Sequence, residues 1–144
     1  MEKVLYLLTF DDEAPTALTT DLVGPLSEEL ARMGVHHVQI NVADADVAPA
    51  AGLRMAMSGA PADAVVSVWI ASATDHLREP IDDAIRAAAP EARLSAYLVT
   101  ESVPLTNTRF PAAPGERTHG MAQLAFLRRA EGLSVADWLT IWLG

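Results

Sequence analysis

The chain has 144 residues, of which 51% are apolar and 20% are charged, a composition typical of a single globular domain. Its 19 acidic residues outnumber its 10 basic residues, which gives a formal net charge of -9. This balance excludes nucleic acids and anionic membrane surfaces as first partners, because both attract clustered Lys and Arg. Cysteine is absent, which excludes thiol catalysis and cysteine-bound zinc.

Two further sequence features bear on location. No segment approaches the roughly 20 apolar residues that a membrane-spanning helix needs. The N-terminus also lacks a basic segment followed by an apolar run and a small-residue cleavage site. A cytoplasmic location is therefore expected.

The first third of the chain predicts a strand and a helix. An almost unbroken apolar run over residues 3–10 is typical of a buried strand. Apolar residues then recur at helical spacing, and Gly24-Pro25 predicts a kink or a restart within that helix. Gly34 is expected to end it in the left-handed conformation. The residues of its apolar face are Leu18, Leu22, Leu26, Leu30 and Met33.

Three more strands and one helix are predicted up to residue 100. Alternating polar and apolar residues over 35–41 indicate a half-polar strand, and the β-branched run over 64–71 indicates a buried one. A long connection is expected between these two strands. Pro80 is predicted to open the second helix and Pro90 to follow its end. Residues 93–100 then form the fourth strand.

This order of elements predicts an α+β fold of the ferredoxin-like βαββαβ type over residues 1–105. Residues 106–118 are rich in proline and indicate a linker. Residues 119–144 are predicted to add a fifth strand over 121–127 and a helix, as the beginning of a second copy of the same fold. The start of that helix is marked by a capping pair, Ser134 and Asp137, and by a hydrophobic staple, Leu133 and Trp138.

With helices on one face of the sheet, the other face is expected to collect aromatic and polar side chains. Such a surface is typical of a small-ligand pocket, but Tyr and Trp are also enriched in subunit interfaces, and both alternatives stay open. The candidate ligand-binding residues are Tyr6, His37, Gln39, Trp69 and Tyr97.

Among these residues, His37 is the candidate for proton transfer, because an unperturbed imidazole titrates near neutral pH. No other catalytic residue is indicated. No metal site is predicted either, because His36 and His37 are adjacent on a strand and point to opposite faces. The sequence contains no motif that indicates a cofactor.

The segment MAQLAFLRRAEGLSVADWLTIW over residues 121–142 resembles the opening of an EthD-type domain, which has an apolar strand, basic residues, Gly-Leu-Ser and an acidic and aromatic helix. The earlier segments VAPA at 47–50 and YLVTESVP at 97–104 resemble the N-terminal half of tandem EthD-like proteins. The matching residues of the later segment are Arg128, Arg129, Gly132, Leu133, Ser134, Asp137, Trp138 and Trp142.

The resemblance implies the dimeric α+β barrel superfamily, in which two ferredoxin-like sheets pack face to face. The family continues past the second helix with a histidine-bearing segment, so this chain is expected to break off within its second repeat. No catalytic residue of the family carries over to this chain. Relatives by fold include cofactor-free monooxygenases, cyclases, dehydratases and haem-degrading enzymes, among which a fold does not choose.

Two functions fit these features. In the first, the protein binds a small apolar or aromatic metabolite in a sheet-lined cavity. This function allows for catalysis there of a reaction that needs no cofactor. In the second, it is a non-catalytic accessory protein whose sheet face is a subunit interface. A homodimer is expected in both cases. Haem handling is a third interpretation, and it requires an axial ligand that the sequence does not identify.

Overall fold

The computed structural model describes residues 1–55, 60–101, 103 and 105–143. Over this part of the chain the predicted α+β class is confirmed, with four strands in one antiparallel open sheet accompanied by four α-helices. The strands are β1 (Glu2–Thr9), β2 (His37–Val42), β3 (Ala64–Ile70) and β4 (Arg93–Val99), and the α-helices are α1 (Leu18–Asp21), α2 (Ser27–Arg32), α3 (Asp75–Ala88) and α4 (Val135–Leu143).

The strands lie in the order β2-β3-β1-β4, and every neighbouring pair is antiparallel. β3 is central, and all of its residues are buried, which explains its apolar and β-branched composition. The edge strands β2 and β4 carry polar residues and are partly exposed, as expected for strands with solvent on one side. The composition of each strand therefore matches its position in the sheet.

The core lies between one face of the sheet and the helices. A π-helical segment, Leu22–Leu26, joins α1 to α2 and contains Pro25, which confirms the predicted irregularity at Gly24-Pro25. Positions four residues apart drift by about 40° per step around a regular α-helix, and a π turn offsets this drift because it contains more residues. The leucines at this spacing, Leu18, Leu22, Leu26 and Leu30, are all buried.

Gly34 follows this helix with a φ of +79°. The predicted left-handed residue at the helix end is therefore confirmed. Glycine adopts this conformation without the steric cost that a Cβ would bring.

The second long helix begins before the predicted start at Pro80, so that prediction is wrong. The backbone N–H groups of Leu77 and Arg78 both donate to the Thr74 carbonyl, and α3 begins at Asp75. A first turn is thus established before the proline, whose missing N–H is tolerated in a helix that is already formed and packed. The end is as predicted, because α3 stops at Ala88, before Pro90.

The connection between β2 and β3 contains a 3-10 helix, Ala45–Leu53. Asp44 precedes it and accepts a hydrogen bond from the Asp46 amide through Oδ1 at 3.2 Å. Arg117, from the segment after β4, forms ion pairs with both of these aspartates. The described part of this connection is therefore more ordered than its weak hydrophobic pattern predicts.

The predicted fifth strand over residues 121–127 is wrong, because this segment has no regular secondary structure and is exposed. A strand needs a neighbour that satisfies its backbone N–H and C=O groups. The apolar run alone does not provide one.

The helix predicted after that segment is present. Asp137 N donates to Ser134 Oγ at 3.0 Å, and Ser134 Oγ donates to Asp137 Oδ2 at 2.7 Å, which confirms the predicted capping pair. Leu133 and Trp138 are half-buried while their neighbours are exposed, as is consistent with a hydrophobic staple. None of the helices within the described ranges combines the length and the apolar composition needed to cross a bilayer.

Candidate functional site

The strand register assigns each side chain of the sheet to one of two faces. Tyr6 lies opposite Val66 on β3 and Ala96 on β4, and Val66 lies opposite Ile40 on β2. These residues share the face that packs against the helices. The other face, called the open face below, carries Lys3, Leu5, Leu7, His37, Gln39, Asn41, Val65, Ser67, Trp69, Ser95, Tyr97 and Val99.

The expected position of Tyr6 on the open face is therefore wrong. Its side chain is 0% exposed and belongs to the core beneath the helices. The run KVLYLLTF is apolar on both faces of the strand, so hydrophobicity does not decide which face packs against the helices. An error of one residue in that choice moves every side chain to the opposite face.

The other four predicted residues lie on the open face, but they do not converge on one point. His37 lies on the edge strand β2, opposite Trp69. Tyr97 lies on the other edge strand, β4, opposite Leu5 of β1. Three strand spacings of about 4.8 Å separate the two edges by roughly 14 Å. One aromatic ring cannot contact both His37 and Tyr97, so a compact site includes only one of them.

The closest association on the open face is the Trp69 cluster, which we define as Lys3, His37, Trp69 and Glu101. Trp69 Nε1 donates to Glu101 Oε2 at 2.7 Å, and Lys3 Nζ donates to Glu101 Oε1 at 2.9 Å. Lys3 Nζ lies 4.2 Å from the centroid of the Trp69 ring, within the range of a cation–π interaction. The imidazole of His37 meets that ring edge-on, with centroids 4.6 Å apart and planes at 67°.

The register explains why these residues meet. Trp69 on β3 is opposite Lys3 on β1 and His37 on β2, so the three form one row across the sheet. Glu101 follows β4 and reaches the same row from beyond the end of that strand. The row thus joins three neighbouring strands with an aromatic side chain at its centre.

The electrostatics of the cluster favour an ionised carboxylate. The hydrogen bond from Lys3, followed by that from Trp69, lowers the pKa of Glu101 below its ordinary value. A carboxylate that accepts from a cation is stabilised in its charged form. Lys3 is held in place by its ion pair with Glu101 and by the indole ring of Trp69.

The sequence reasoning did not identify Lys3 and Glu101 as members of this site. Lys3 did carry a signal, since it is the only lysine of the chain and stands at the start of an apolar run. Glu101 carried none, because its role depends on where β4 ends relative to β3. A carboxylate just after a predicted strand is usually a solvated turn residue.

The arrangement offers binding more readily than bond-making chemistry. His37 is exposed beside a fixed aromatic ring, so a ligand can reach its imidazole. Trp69 is only 7% exposed, and its N–H is already committed to Glu101. Within the described ranges, no three His, Asp or Glu side chains come together as a metal ion would need.

The two best-formed clefts of the described residues are not lined by His37, Gln39 or Trp69, although Tyr97 lines one of them. One has a volume of about 180 Å³ and lies beside β4, and the other has about 70 Å³ and lies between Met33 and Ile81. Both are smaller than the ~300–1,000 Å³ typical of metabolite pockets. A ligand on the open face would therefore need a further surface to enclose it.

No protein-family model matches the chain. No curated protein matches it either. The resemblance to EthD-type domains thus rests on the residues quoted above.

Proposed function

We propose that the protein is a homodimer in which the open faces of two copies meet and hold a small apolar or aromatic molecule beside His37 and Trp69. The Trp69 cluster carries this proposal. It fixes an aromatic ring, an exposed imidazole and a neutralised ion pair in one row of the sheet. Such a combination of apolar wall and few polar groups suits an aromatic ligand.

The face itself supports the need for a partner. Leu5 and Leu7 lie half-buried in its centre beside the buried Val65, and Tyr97 is exposed toward its β4 edge; such partly exposed apolar sheet surface is stabilised by a second layer. A second copy presents the same residues, so the contact is self-complementary about a two-fold axis. The enclosed ligand then lies between two sheets.

The finer features of the fold belong to the same proposal. We take residues 1–105 as one ferredoxin-like EthD-type unit, residues 106–118 as a linker and residues 119–144 as the start of a second EthD-like repeat, in a cytoplasmic protein that needs no cofactor. The order β2-β3-β1-β4 with two helical connections supports a ferredoxin-like unit. Face-to-face packing of two such sheets would produce a dimeric α+β barrel.

The proposal is tested by titrating the protein with 1-naphthol, a neutral aromatic probe, and following its fluorescence. His37→Ala should weaken binding several-fold while sedimentation velocity still shows a dimer. His36→Ala is the matched control, because His36 is also exposed but precedes β2. Equal affinities in both variants would overturn the role of His37, and a monomer at every concentration would overturn the dimer.

A second candidate function is a non-catalytic accessory protein whose open face is filled by its partner. The observation in its favour is that neither cleft is lined by a residue of the Trp69 cluster. Here Tyr97→Asp should weaken dimerisation at least tenfold, because Tyr97 is 52% exposed on the open face. Leu98→Asp is the control, since Leu98 is 63% exposed on the opposite face of the same strand. No binding of 1-naphthol, together with this loss of dimer, would select this function.

A further inference from the structure

The cleft of about 180 Å³ lies at the β4 edge of the sheet, mainly on its helix side. Its walls are formed by Val4 of β1, by Ala96, Tyr97 and Leu98 of β4, and by Ala73 and Arg78 at the start of α3. The helices do not cover this edge of the sheet, where Leu98 remains 63% exposed. The cleft is thus apolar on the sheet side and has one cationic side chain on the helix side.

Two polar atoms are buried behind that cation. Tyr6 Oη and Asp82 Oδ1 are inaccessible to solvent, and neither has a hydrogen-bond partner among the described residues. Neither residue lines the cleft itself, but each neighbours one that does, because Tyr6 is opposite Ala96 on β4 and Asp82 pairs with Arg78. Buried polar groups are costly unless they are hydrogen-bonded, so these two atoms leave hydrogen-bonding capacity unused beside the cleft.

Arg78 links the buried groups to the cleft. Its Nη1 donates to Asp82 Oδ2 at 2.7 Å, so a carboxylate that is itself buried holds the guanidinium in place. Its Nη2 is 3.7 Å from Asp75 Oδ1, which is beyond hydrogen-bond distance. The Asp75 side chain is 84% exposed, and such surface ion pairs are weak. One edge of the guanidinium is therefore positioned yet only weakly engaged.

We propose that this cleft binds a small carboxylic acid carrying a single apolar ring, with Arg78 pairing the carboxylate. The ring would lie against Val4, Ala96 and Leu98, and the carboxylate would displace Asp75 from Arg78 Nη2. An apolar cavity of about 150 Å³ is known to accept one benzene molecule, and this cleft has about 180 Å³. Arg is suited to planar carboxylates because its fork of N–H groups matches their geometry.

Asp82 and Tyr6 are positioning residues in this proposal, since both act through Arg78. Asp82 fixes the direction of the guanidinium, and Tyr6 supplies the polar floor beneath Asp82. The site is independent of the Trp69 cluster, which lies on the opposite face of the sheet. Either proposal can fail without the other.

The test uses benzoate, titrated into the isotope-labelled protein and followed through amide NMR shifts. Benzoate should give saturable shifts at β4 and at the start of α3, whereas neutral benzamide should bind at least tenfold more weakly. Ala96→Leu should abolish these shifts by filling the cleft. Ser95→Leu is its control, because Ser95 is exposed on the other face of the same strand.

The contribution of Arg78 is tested by Arg78→Lys, which keeps the charge but loses the fork, and should weaken benzoate binding about tenfold. Arg86→Lys is the control, because Arg86 is 59% exposed and pairs with Asp83 on the same helix. The proposal is overturned if benzoate gives no saturable shifts in the wild-type protein up to its solubility limit. It is also overturned if Ala96→Leu or Arg78→Lys binds benzoate as the wild type does.

Discussion

The indole of Trp69 donates a 2.7 Å hydrogen bond to Glu101, a residue 32 positions later in the chain. The bond joins the middle of the sheet to the segment that follows its edge strand β4. It crosses the row in which Lys3 stands between the two, and Lys3 binds the other carboxylate oxygen of Glu101. The orientation of the ring on the open face is therefore set by a contact between distant parts of the sequence.

Replacing Lys3 by Met should raise the pKa of Glu101 toward its ordinary value of 4.5, because the hydrogen bond from Lys3 is the largest cause of the lowering. The Glu101 carboxyl resonance, followed in an NMR pH titration, measures this shift. A carboxyl whose pKa is lowered on folding stabilises the fold above its ordinary pKa, and this contribution is lost as the pH falls through the lowered value. Lys3→Arg keeps a cation there and should preserve the low pKa. An unchanged pKa in Lys3→Met would show that Trp69 alone controls the carboxyl.

Tyr6 should make the protein sensitive to alkali. Burial, reinforced by Asp82, raises the pKa of Tyr6 well above its ordinary value of 10.0. The free energy of unfolding is then unaffected by this group below pH 10. Above pH 10 it falls by on the order of 1 kcal/mol per pH unit, because the unfolded chain releases the phenolic proton first. Urea unfolding on both sides of this pH should show a shallower decline in Tyr6→Phe. The same decline in both proteins would contradict this account.

At neutral pH, Tyr6→Phe should cost no more than about 1 kcal/mol, because the ring is retained and the hydroxyl has no well-formed hydrogen bond to lose. Tyr6→Ala should cost about 3–5 kcal/mol, since it leaves a cavity in the core. The midpoints of urea unfolding compare the two variants. A large loss in Tyr6→Phe would indicate that the hydroxyl is firmly bonded to Asp82.

The Arg78 and Asp82 pair should behave as a buried ion pair. Arg78→Met leaves the carboxylate of Asp82, which is 8% exposed, without its cation and should cost about 3–5 kcal/mol. The double variant with Asp82→Leu should recover most of this loss, because two apolar side chains replace the pair. The free energies of urea unfolding of the wild type, of both single variants and of the double variant complete a double-mutant cycle. Additive losses would show that the two residues do not depend on each other.

The Ser134 cap should determine whether α4 forms. This helix has 9 residues, fewer than the ~12–15 at which isolated helices become marginal in water. Ser134→Ala should cost about 1 kcal/mol and reduce the Cα secondary shifts of residues 135–143. Thr140→Ala is the control, since its hydroxyl bonds only to the Ala136 carbonyl within the helix, and it should leave helicity equal or higher. Unchanged shifts in Ser134→Ala would mean that another contact holds the helix.

Much of the fold follows from local pattern. A strand buried on both sides is a continuous apolar run, and a helix buried on one side repeats its apolar residues about every four positions. The sequence therefore predicts both the strand over Ala64–Ile70 and the buried helix face of Leu18, Leu22, Leu26 and Leu30. The cap at Ser134 is equally local. These features need only neighbouring residues for their recognition.

The predictions that are wrong or missing concern features that depend on residues distant in the sequence. The phase of β1 depends on which side the helices cover, and the sequence predicts the wrong face for Tyr6 because both sides of that strand are apolar. Residues 121–127 are apolar enough for a strand but pair with no other strand among the described residues. Glu101 enters the site only because β4 ends beside the row of Trp69. Sequence spacing contains none of this information.

The π-helical segment Leu22–Leu26 restricts how this region can change in length. Deleting one residue from it would favour a regular α-helix, in which each remaining residue turns the chain further than it does in a π turn, so that the roughly 100° lost with the deleted residue is nearly offset. Leu30, now 0% exposed, would stay in the core. Inserting a residue has no such compensation and would rotate α2 by about 100° relative to α1. The loss of a single residue is therefore easier to accommodate here than the gain of one.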